Sequence, residues 1–193
     1  MGMNGLQPAA EREIKAVLCG GGNDIFRILK DISAVFKGKT VGYVAVAAET
    51  NPALLLMIRS GFSNLIAHFK SLGAVGAMLV ESGNFADAFE NDVIIISGGD
   101  SQYLLRVLGE KGFSSKLAVS NVQTVVGISA GAIALSHQGV GSVDTQEKVF
   151  DGMNFIDVMV VPHSNGEKRR RYPEATHLTE YQWREFSFSS PRR

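Results

Sequence analysis

This sequence of 193 residues has one cysteine, only five prolines and no formal net charge. The single cysteine, Cys19, excludes an internal disulfide and a zinc site built from several cysteines. Nineteen basic residues balance nineteen acidic ones, so no broad surface for nucleic acid or an anionic membrane is expected. No apolar run approaches the roughly 20 residues that cross a bilayer. Residues 1–13 are polar and do not resemble a secretory signal. These absences predict a cytoplasmic protein.

Apolar residues and glycines are plentiful by contrast, at 45% hydrophobic residues and 21 glycines. A chain of this size and composition can bury a core without disulfides. We expect a polar lead at residues 1–13, a single α/β hydrolase-type domain at 14–175 and an atypical polar tail at 176–193. No further buried strand is expected after Val161.

Short β-prone segments alternate along the chain with segments whose apolar residues recur every three or four positions. Asn23 is the expected N-cap of the first helix, and Asn51-Pro52 opens the second. This alternation predicts an open α/β sheet that is mostly parallel. Ligands bind such sheets beyond the carboxyl ends of the strands. The predicted strands are 14–19, 40–48, 75–80, 93–96, 124–126 and a last one that ends at Val161.

The segment Gly127-Ile128-Ser129-Ala130-Gly131 fits the pattern G-x-S-x-G. A serine at a sharp strand-to-helix turn is held in strained backbone angles, and its neighbours must be small for the chain to reverse. Such a turn lifts the hydroxyl above the sheet and directs the next backbone N–H towards the same place. We therefore predict that Ser129 is a nucleophile, with a tight structural turn as the alternative.

A serine nucleophile needs a base, and the chain offers four histidines. His163 directly follows a predicted strand, so it is expected at the edge of the sheet where Ser129 would lie. His68 and His137 fall in predicted helices, and His177 falls in the polar tail. His163 is therefore the candidate base, with a surface loop residue as the alternative.

An oxyanion formed at the serine needs at least two hydrogen-bond donors, which are usually backbone N–H groups. The N–H of Ala130 is one candidate. The other is the turn Gly98-Gly99-Asp100, at the end of a neighbouring predicted strand. The turn can equally join a strand to a helix, with Asp100 or Ser101 as the N-cap, and the two interpretations are compatible.

Three segments, 93–100, 127–132 and 161–163, resemble in sequence and order the motifs of the serine peptidase family that contains aspartyl dipeptidase (peptidase E) and cyanophycinase. The resemblance covers about residues 14–171. It implies a three-layer α/β/α sandwich of the class I glutamine amidotransferase-like kind. It also implies hydrolysis of small peptides with an N-terminal aspartate through an acyl-enzyme, and neither a cofactor nor a metal is expected.

The resemblance also implies roles for individual residues. Ser129 would be the nucleophile, with His163, 34 residues further on, as its general base. Gly99 and Ala130 would supply the oxyanion hole.

Two further residues are candidates for binding the substrate. By the resemblance, Arg169 would bind the aspartate carboxylate, because a guanidinium matches a carboxylate in shape and charge. Asp100 stands where peptidase E has asparagine. The alternative for the basic run 168–171 is a solvated loop.

The C-terminal part of the sequence leaves two alternatives open. A histidine base works best when a carboxylate orients it, but none of the later acidic residues lies in a motif of this family; they are Glu167, Glu174, Glu180 and Glu185. One alternative is therefore a catalytically impaired member without the family's C-terminal elements, whose exposed sheet a homo-oligomer would cover. The other is a phosphate- or nucleotide-binding α/β module with Gly20-Gly21-Gly22-Asn23 as its cradle.

Overall fold

The computed structural model describes residues 12–22, 24–143 and 146–190. The expected N-cap Asn23 lies outside them, and Asp24 caps the first helix by accepting from the N–H of Arg27 at 3.3 Å. The strands and helices are, in chain order, β1 (Arg12–Cys19), α1 (Ile25–Asp31), β2 (Thr40–Val44), α2 (Pro52–Ser71), β3 (Gly76–Val80), β4 (Val93–Ile96), α3 (Ser101–Glu110), α4 (Phe113–Val119), β5 (Thr124–Ile128), α5 (Ala130–Leu135), β6 (Ser136–Val143), β7 (Gln146–Asp151), β8 (Ile156–Pro162), α6 (Gly166–Arg171), β9 (Thr176–Leu178) and β10 (Trp183–Ser190).

The main sheet has six strands in the order β10-β1-β5-β4-β2-β3, and every pairing is parallel except that of β10 with β1. Alternate residues of β4 face opposite sides of this sheet. Ile94 and Ile96 pack with residues of α3, α4 and α5, whereas Val93 and Ile95 pack with α1 and α2. Helices thus cover both faces, which confirms the predicted α/β sandwich with a mostly parallel sheet.

The pairing of β1, β5 and β4 fixes where the chain leaves the sheet. Cys19, the last residue of β1, is in register with Ile128, and Ile96, the last residue of β4, is in register with Gly127. The turns that follow these three strands therefore emerge side by side at the carboxyl edge of the sheet. Each of them is one of the glycine-containing turns that the sequence singles out.

A second sheet, in the order β7-β6-β8-β9, follows α5. Because β6 begins directly after Leu135, His137 lies in a strand, and the prediction that it lies in a helix is wrong. Glycine is a poor helix former, and β6 contains two glycines. One of them, Gly139, packs so closely on α5 that a Cβ there would stand 2.7 Å from Cγ1 of Ile133.

Residues 176–193, expected to be a polar tail, contribute two strands instead. β10 pairs antiparallel with β1 along its whole length, from Trp183 opposite Cys19 to Ser190 opposite Arg12. Phe186 and Phe188 are half-buried against the core, while Ser187 between them is exposed. β10 therefore covers the edge of β1 that a lost C-terminal part would expose, and the signal for it is the alternation of phenylalanine with polar residues.

At the other end of the chain, most of the predicted polar lead, residues 1–11, lies outside the described residues. Arg12 and Glu13 already belong to β1. The second predicted strand is shorter than expected. β2 ends at Val44, and the chain continues into a 3-10 turn at Val46–Ala48.

Candidate active site

Ser129 sits at the turn between β5 and α5 with φ 53° and ψ −106°, a conformation that costs a non-glycine residue energy. The flanking glycines permit this turn because both approach backbone closely. A Cβ on Gly127 would stand 2.4 Å from the carbonyl oxygen of Gly131, and a Cβ on Gly131 would stand 2.1 Å from that of Ile96. Both glycines of the motif are therefore required by packing, and the turn has the geometry of a nucleophile elbow.

His163 follows β8 and brings its imidazole to Ser129. Nε2 of His163 lies 2.9 Å from Oγ of Ser129. The backbone of both residues is tied to the end of β1, since the N–H of Ser129 donates to the carbonyl of Cys19 at 2.9 Å and that of His163 donates to Gly20 at 3.3 Å. The structure thus brings together the two residues that the sequence suggests as nucleophile and base.

The surroundings of His163 lower the pKa of its imidazole. Partial burial of the ring lowers its pKa from the usual value of 6.5, and the positive charge of Lys168 lowers it further. The carboxylate of Glu180 acts in the opposite direction and raises the pKa. Because burial dominates, the pKa of His163 lies below its usual value, so the ring is ready to accept a proton at neutral pH.

No carboxylate of the described residues forms a hydrogen bond or an ion pair with His163. Glu180 is the acidic side chain whose charge acts on the ring, and it lies in the turn between β9 and β10. That turn is bonded to the glycine turn after β1. The N–H of Gly20 donates to Gln182 at 2.9 Å, and the N–H of Tyr181 donates to Gly21 at 2.8 Å. The segment expected to be a polar tail therefore supplies the carboxylate whose charge acts on the candidate base.

Gly99 and Ala130 both present free backbone donors near Ser129. Neither N–H donates to another described residue. Gly99 has φ 141°, and a Cβ there would stand 2.2 Å from the carbonyl oxygen of Ala47, so only glycine fits. Gly98 also lies close to the serine, because a Cβ on it would stand 3.2 Å from Cβ of Ser129.

Asp100 and Arg169, the two candidate substrate-binding residues, do not line the cleft at Ser129. Oδ1 of Asp100 accepts from the N–H of Tyr103 at 2.9 Å and caps α3. Arg169 is exposed on α6. The neighbouring Lys168 is the cation that lowers the pKa of His163. Nζ of Lys168 lies 3.7 Å from Oε1 of Glu147.

Gly21 and Gly22 belong to the same site, a role that the sequence does not reveal. A Cβ on Gly21 would stand 2.6 Å from Cε1 of His163, and one on Gly22 would stand 2.6 Å from Cε1 of Tyr181. The guanidinium of Arg27 in turn lies 4.5 Å from the centre of the Tyr181 ring. The available signal was the run of glycines at a strand end, which also fits the phosphate cradle considered above.

The cleft itself has a volume of about 360 Å³. Ser129, His163 and the two glycine turns contribute to its lining, together with apolar side chains of α1, α2 and β2. Within the described parts of the chain, no group of three or more His, Cys, Asp and Glu side chains is placed to hold a metal ion. In the same parts, no helix combines the length and apolar character needed to cross a membrane.

Comparison with known proteins identifies the family. The sequence model of peptidase family S51 matches residues 14–184. The chain belongs to peptidase family S51. The resemblance that the three motifs carry is thereby confirmed. The matched range includes the first two residues of β10.

Solved structures show the same fold as this S51 member. A protein described as a peptidase E from Listeria monocytogenes EGD-e has a TM-score of 0.66 and 17% identity, over 93% of this chain and 99% of that chain. A peptidase from an acI-B1 Actinobacterium has a TM-score of 0.62 and 18% identity, over 92% of this chain and 84% of that chain. At these identities the likeness shows the fold alone.

A curated relative is also similar to part of the S51 chain. The uncharacterized peptidase YgaJ of Bacillus subtilis (strain 168) is 37% identical over 84 residues. This match covers 42% of the chain and 36% of the relative, so it spans little more than a third of the relative's length.

Proposed function

We propose that this member of family S51 is a serine peptidase that hydrolyses small peptides, with Ser129 as nucleophile and His163 as general base. The observation that carries the proposal is the 2.9 Å approach of Oγ of Ser129 to Nε2 of His163 on a strained elbow. The lowered pKa of His163 supports it, because a base must be unprotonated to act.

The first half of the reaction breaks the peptide bond. Oγ of Ser129 attacks the carbonyl carbon while its proton passes to Nε2 of His163. The resulting oxyanion accepts hydrogen bonds from the N–H groups of Gly99 and Ala130, which have no partner in the described structure. The C–N bond then breaks, and His163 returns the proton to the leaving amine.

The second half releases the acyl group from Ser129. A water molecule gives a proton to His163 and attacks the ester carbonyl, and the ester C–O bond breaks. His163 then reprotonates Oγ of Ser129, so that a carboxylic acid leaves and the enzyme is restored. Glu180 assists both halves as a positioning residue, because its negative charge favours the imidazolium that forms each time.

The substrates that this proposal favours carry an N-terminal aspartate. Positive charge on the His163 side of the site comes from α6, whose Lys168 is close enough to lower the pKa of His163. Arg169 follows on the same helix and is exposed to solvent. These two cations are our candidates for binding an aspartate carboxylate, and Arg169 would need to turn towards the cleft when substrate binds.

Ser129→Ala tests the proposed function. We expect the wild-type protein to hydrolyse Asp-X dipeptides and to be labelled by a fluorophosphonate probe, and the variant to do neither. Removing a serine nucleophile leaves only the small acceleration that binding and the oxyanion hole provide. Equal hydrolysis by the two proteins would remove Ser129 from the mechanism.

A further inference from the structure

Part of the cleft beside Ser129 is lined by large apolar side chains. Ile25 comes from the first turn of α1, and Leu54, Met57 and Ile58 come from the N-terminal half of α2. Among the residues that the structure describes, no lysine, arginine, aspartate or glutamate lines this cleft. The nucleophile therefore borders a surface that favours apolar atoms over charged ones.

The apolar surface continues away from Ser129 as a groove between α1 and α2. A second cavity of about 260 Å³ lies there, and it shares Ile25, Tyr43, Met57 and Ile58 with the cleft. The α2 residues involved are spaced by three and four, so they form one stripe along the helix. The stripe includes Gly61, where a Cβ would meet nothing within 4 Å, so the groove stays open at that point.

This stripe is not covered by the described part of the protein. Met57 is 63% exposed, and Leu54 and Ile58 are only half-buried. The buried residues of α2, Leu65 and Phe69, both lie in its C-terminal half. The N-terminal half thus leaves its apolar side chains open to the cleft that holds the catalytic pair, as expected for a ligand-binding wall.

We propose that this groove, formed by Ile25, Leu54, Met57, Ile58 and Gly61, is the subsite for a large apolar side chain of the substrate, so that Asp-Leu, Asp-Met and Asp-Phe are better substrates than Asp-Gly. The proposal rests on the proposed function and names its substrate class more closely.

The charges around the cleft decide which substrate side chain enters the groove. An aspartate carboxylate placed there would lose its water without gaining a cation from the described lining, and it would approach Asp24, which lines the second cavity, so its entry is unfavourable. The cations Lys168 and Arg169 lie on α6, outside the lining of the cleft. The acidic side chain is therefore directed towards α6, and the groove is left to the neighbouring residue of the peptide.

Two adjacent residues of α2 provide a matched pair of variants. Met57 lines both cavities and is 63% exposed, whereas Leu56 lines neither and is 67% exposed. Each can become lysine without burying the charge, so both variants are expected to fold. Only Met57→Lys places an ammonium group in the groove.

The experiment measures kcat/KM for Asp-Leu and Asp-Gly with the wild-type protein and both variants. We expect the wild-type protein to prefer Asp-Leu on the order of tenfold, because a partly open apolar pocket discriminates by about that much. Met57→Lys is expected to reduce the preference to about twofold, and Leu56→Lys to leave it unchanged. Equal kcat/KM for both dipeptides in the wild-type protein, or equal preference in both variants, would overturn the subsite.

Two further measurements separate the subsite from the chemistry. Fluorophosphonate labelling of Ser129 needs no peptide side chain, so a protein that is not labelled refutes the proposed function. Binding alone is read from the melting temperature of Ser129→Ala with each dipeptide. A larger increase in melting temperature with Asp-Leu than with Asp-Gly, which is lost when Met57→Lys is added, supports the subsite even if Ser129 is not labelled. Equal increases with the two dipeptides refute the subsite.

Discussion

Replacing Gly21 with alanine is expected to separate His163 from Ser129, the pair proposed as base and nucleophile. A Cβ on Gly21 would stand 2.6 Å from Cε1 and 3.0 Å from Nε2 of His163, whereas non-bonded carbon atoms pack at about 3.5–4.0 Å. The backbone of Gly21 cannot move away easily, because its carbonyl accepts a hydrogen bond from the N–H of Tyr181 at 2.8 Å. The imidazole must therefore retreat by about 1 Å.

A displacement of this size is large for a proton transfer. It lengthens the 2.9 Å contact between Nε2 and Oγ of Ser129 beyond hydrogen-bonding distance, and a misplacement of about 1 Å costs on the order of a hundredfold in rate. Alanine at φ 94° also destabilises the fold by about 1–2 kcal/mol. The rate and the stability must therefore be measured separately.

Gly73→Ala is the matched control for the backbone strain. Gly73 has the same φ of 94°, but the nearest atom to a Cβ there is Cα of Lys37 at 3.5 Å, an ordinary contact. Both variants should lose similar stability in urea denaturation, and only Gly21→Ala should lose fluorophosphonate labelling of Ser129 by about a hundredfold. Labelling rates of the two variants within about threefold of each other would refute this reasoning.

Three more predictions concern the base and the C-terminal strand. Because the pKa of His163 is lowered from its usual 6.5, the midpoint of the rise of kcat/KM with pH should lie below that value, and Lys168→Met should move this rise to higher pH; an unmoved profile would exclude the charge effect. Glu180→Gln should move the rise to lower pH and reduce kcat about tenfold, while Glu174→Gln, in an exposed loop, should match the wild-type protein. Phe188→Ala should lower the free energy of unfolding by about 2 kcal/mol in urea, since its half-buried ring lies 5.0 Å from that of Phe155; a change below about 0.5 kcal/mol would show that β10 adds little.

The part of the site that could be predicted from the sequence is the part encoded locally. The elbow at Ser129 needs a glycine two residues before it and another two residues after it, so its pattern can be seen in five consecutive residues of the sequence. The position of His163 at a strand end was visible for the same reason, because an apolar run stops immediately before it. Parallel pairing then places both at one edge of the sheet, which is a general property of the fold.

The parts that escaped prediction depend on contacts between distant segments. Gly21 looks like any glycine after a strand until the imidazole of His163 is placed against it. Likewise, β10 is exposed on one face and carries only two half-buried phenylalanines, so its composition resembles a polar tail. The alternation of these phenylalanines with polar residues is a short signal, and it is the pairing with β1 over residues 12–19 that makes the segment a strand.

The antiparallel pairing of β1 with β10 also explains how the C-terminal segment contributes to the candidate site. The ladder does not stop where the strands end. Beyond the pair of Cys19 and Trp183, it continues as the hydrogen bonds from Gly20 to Gln182 and from Tyr181 to Gly21. The residue that precedes these contacts is Glu180, whose charge acts on His163. The pairing that covers the sheet edge thus also fixes the turn that carries this acid, so stability and positioning of the base depend on the same strand.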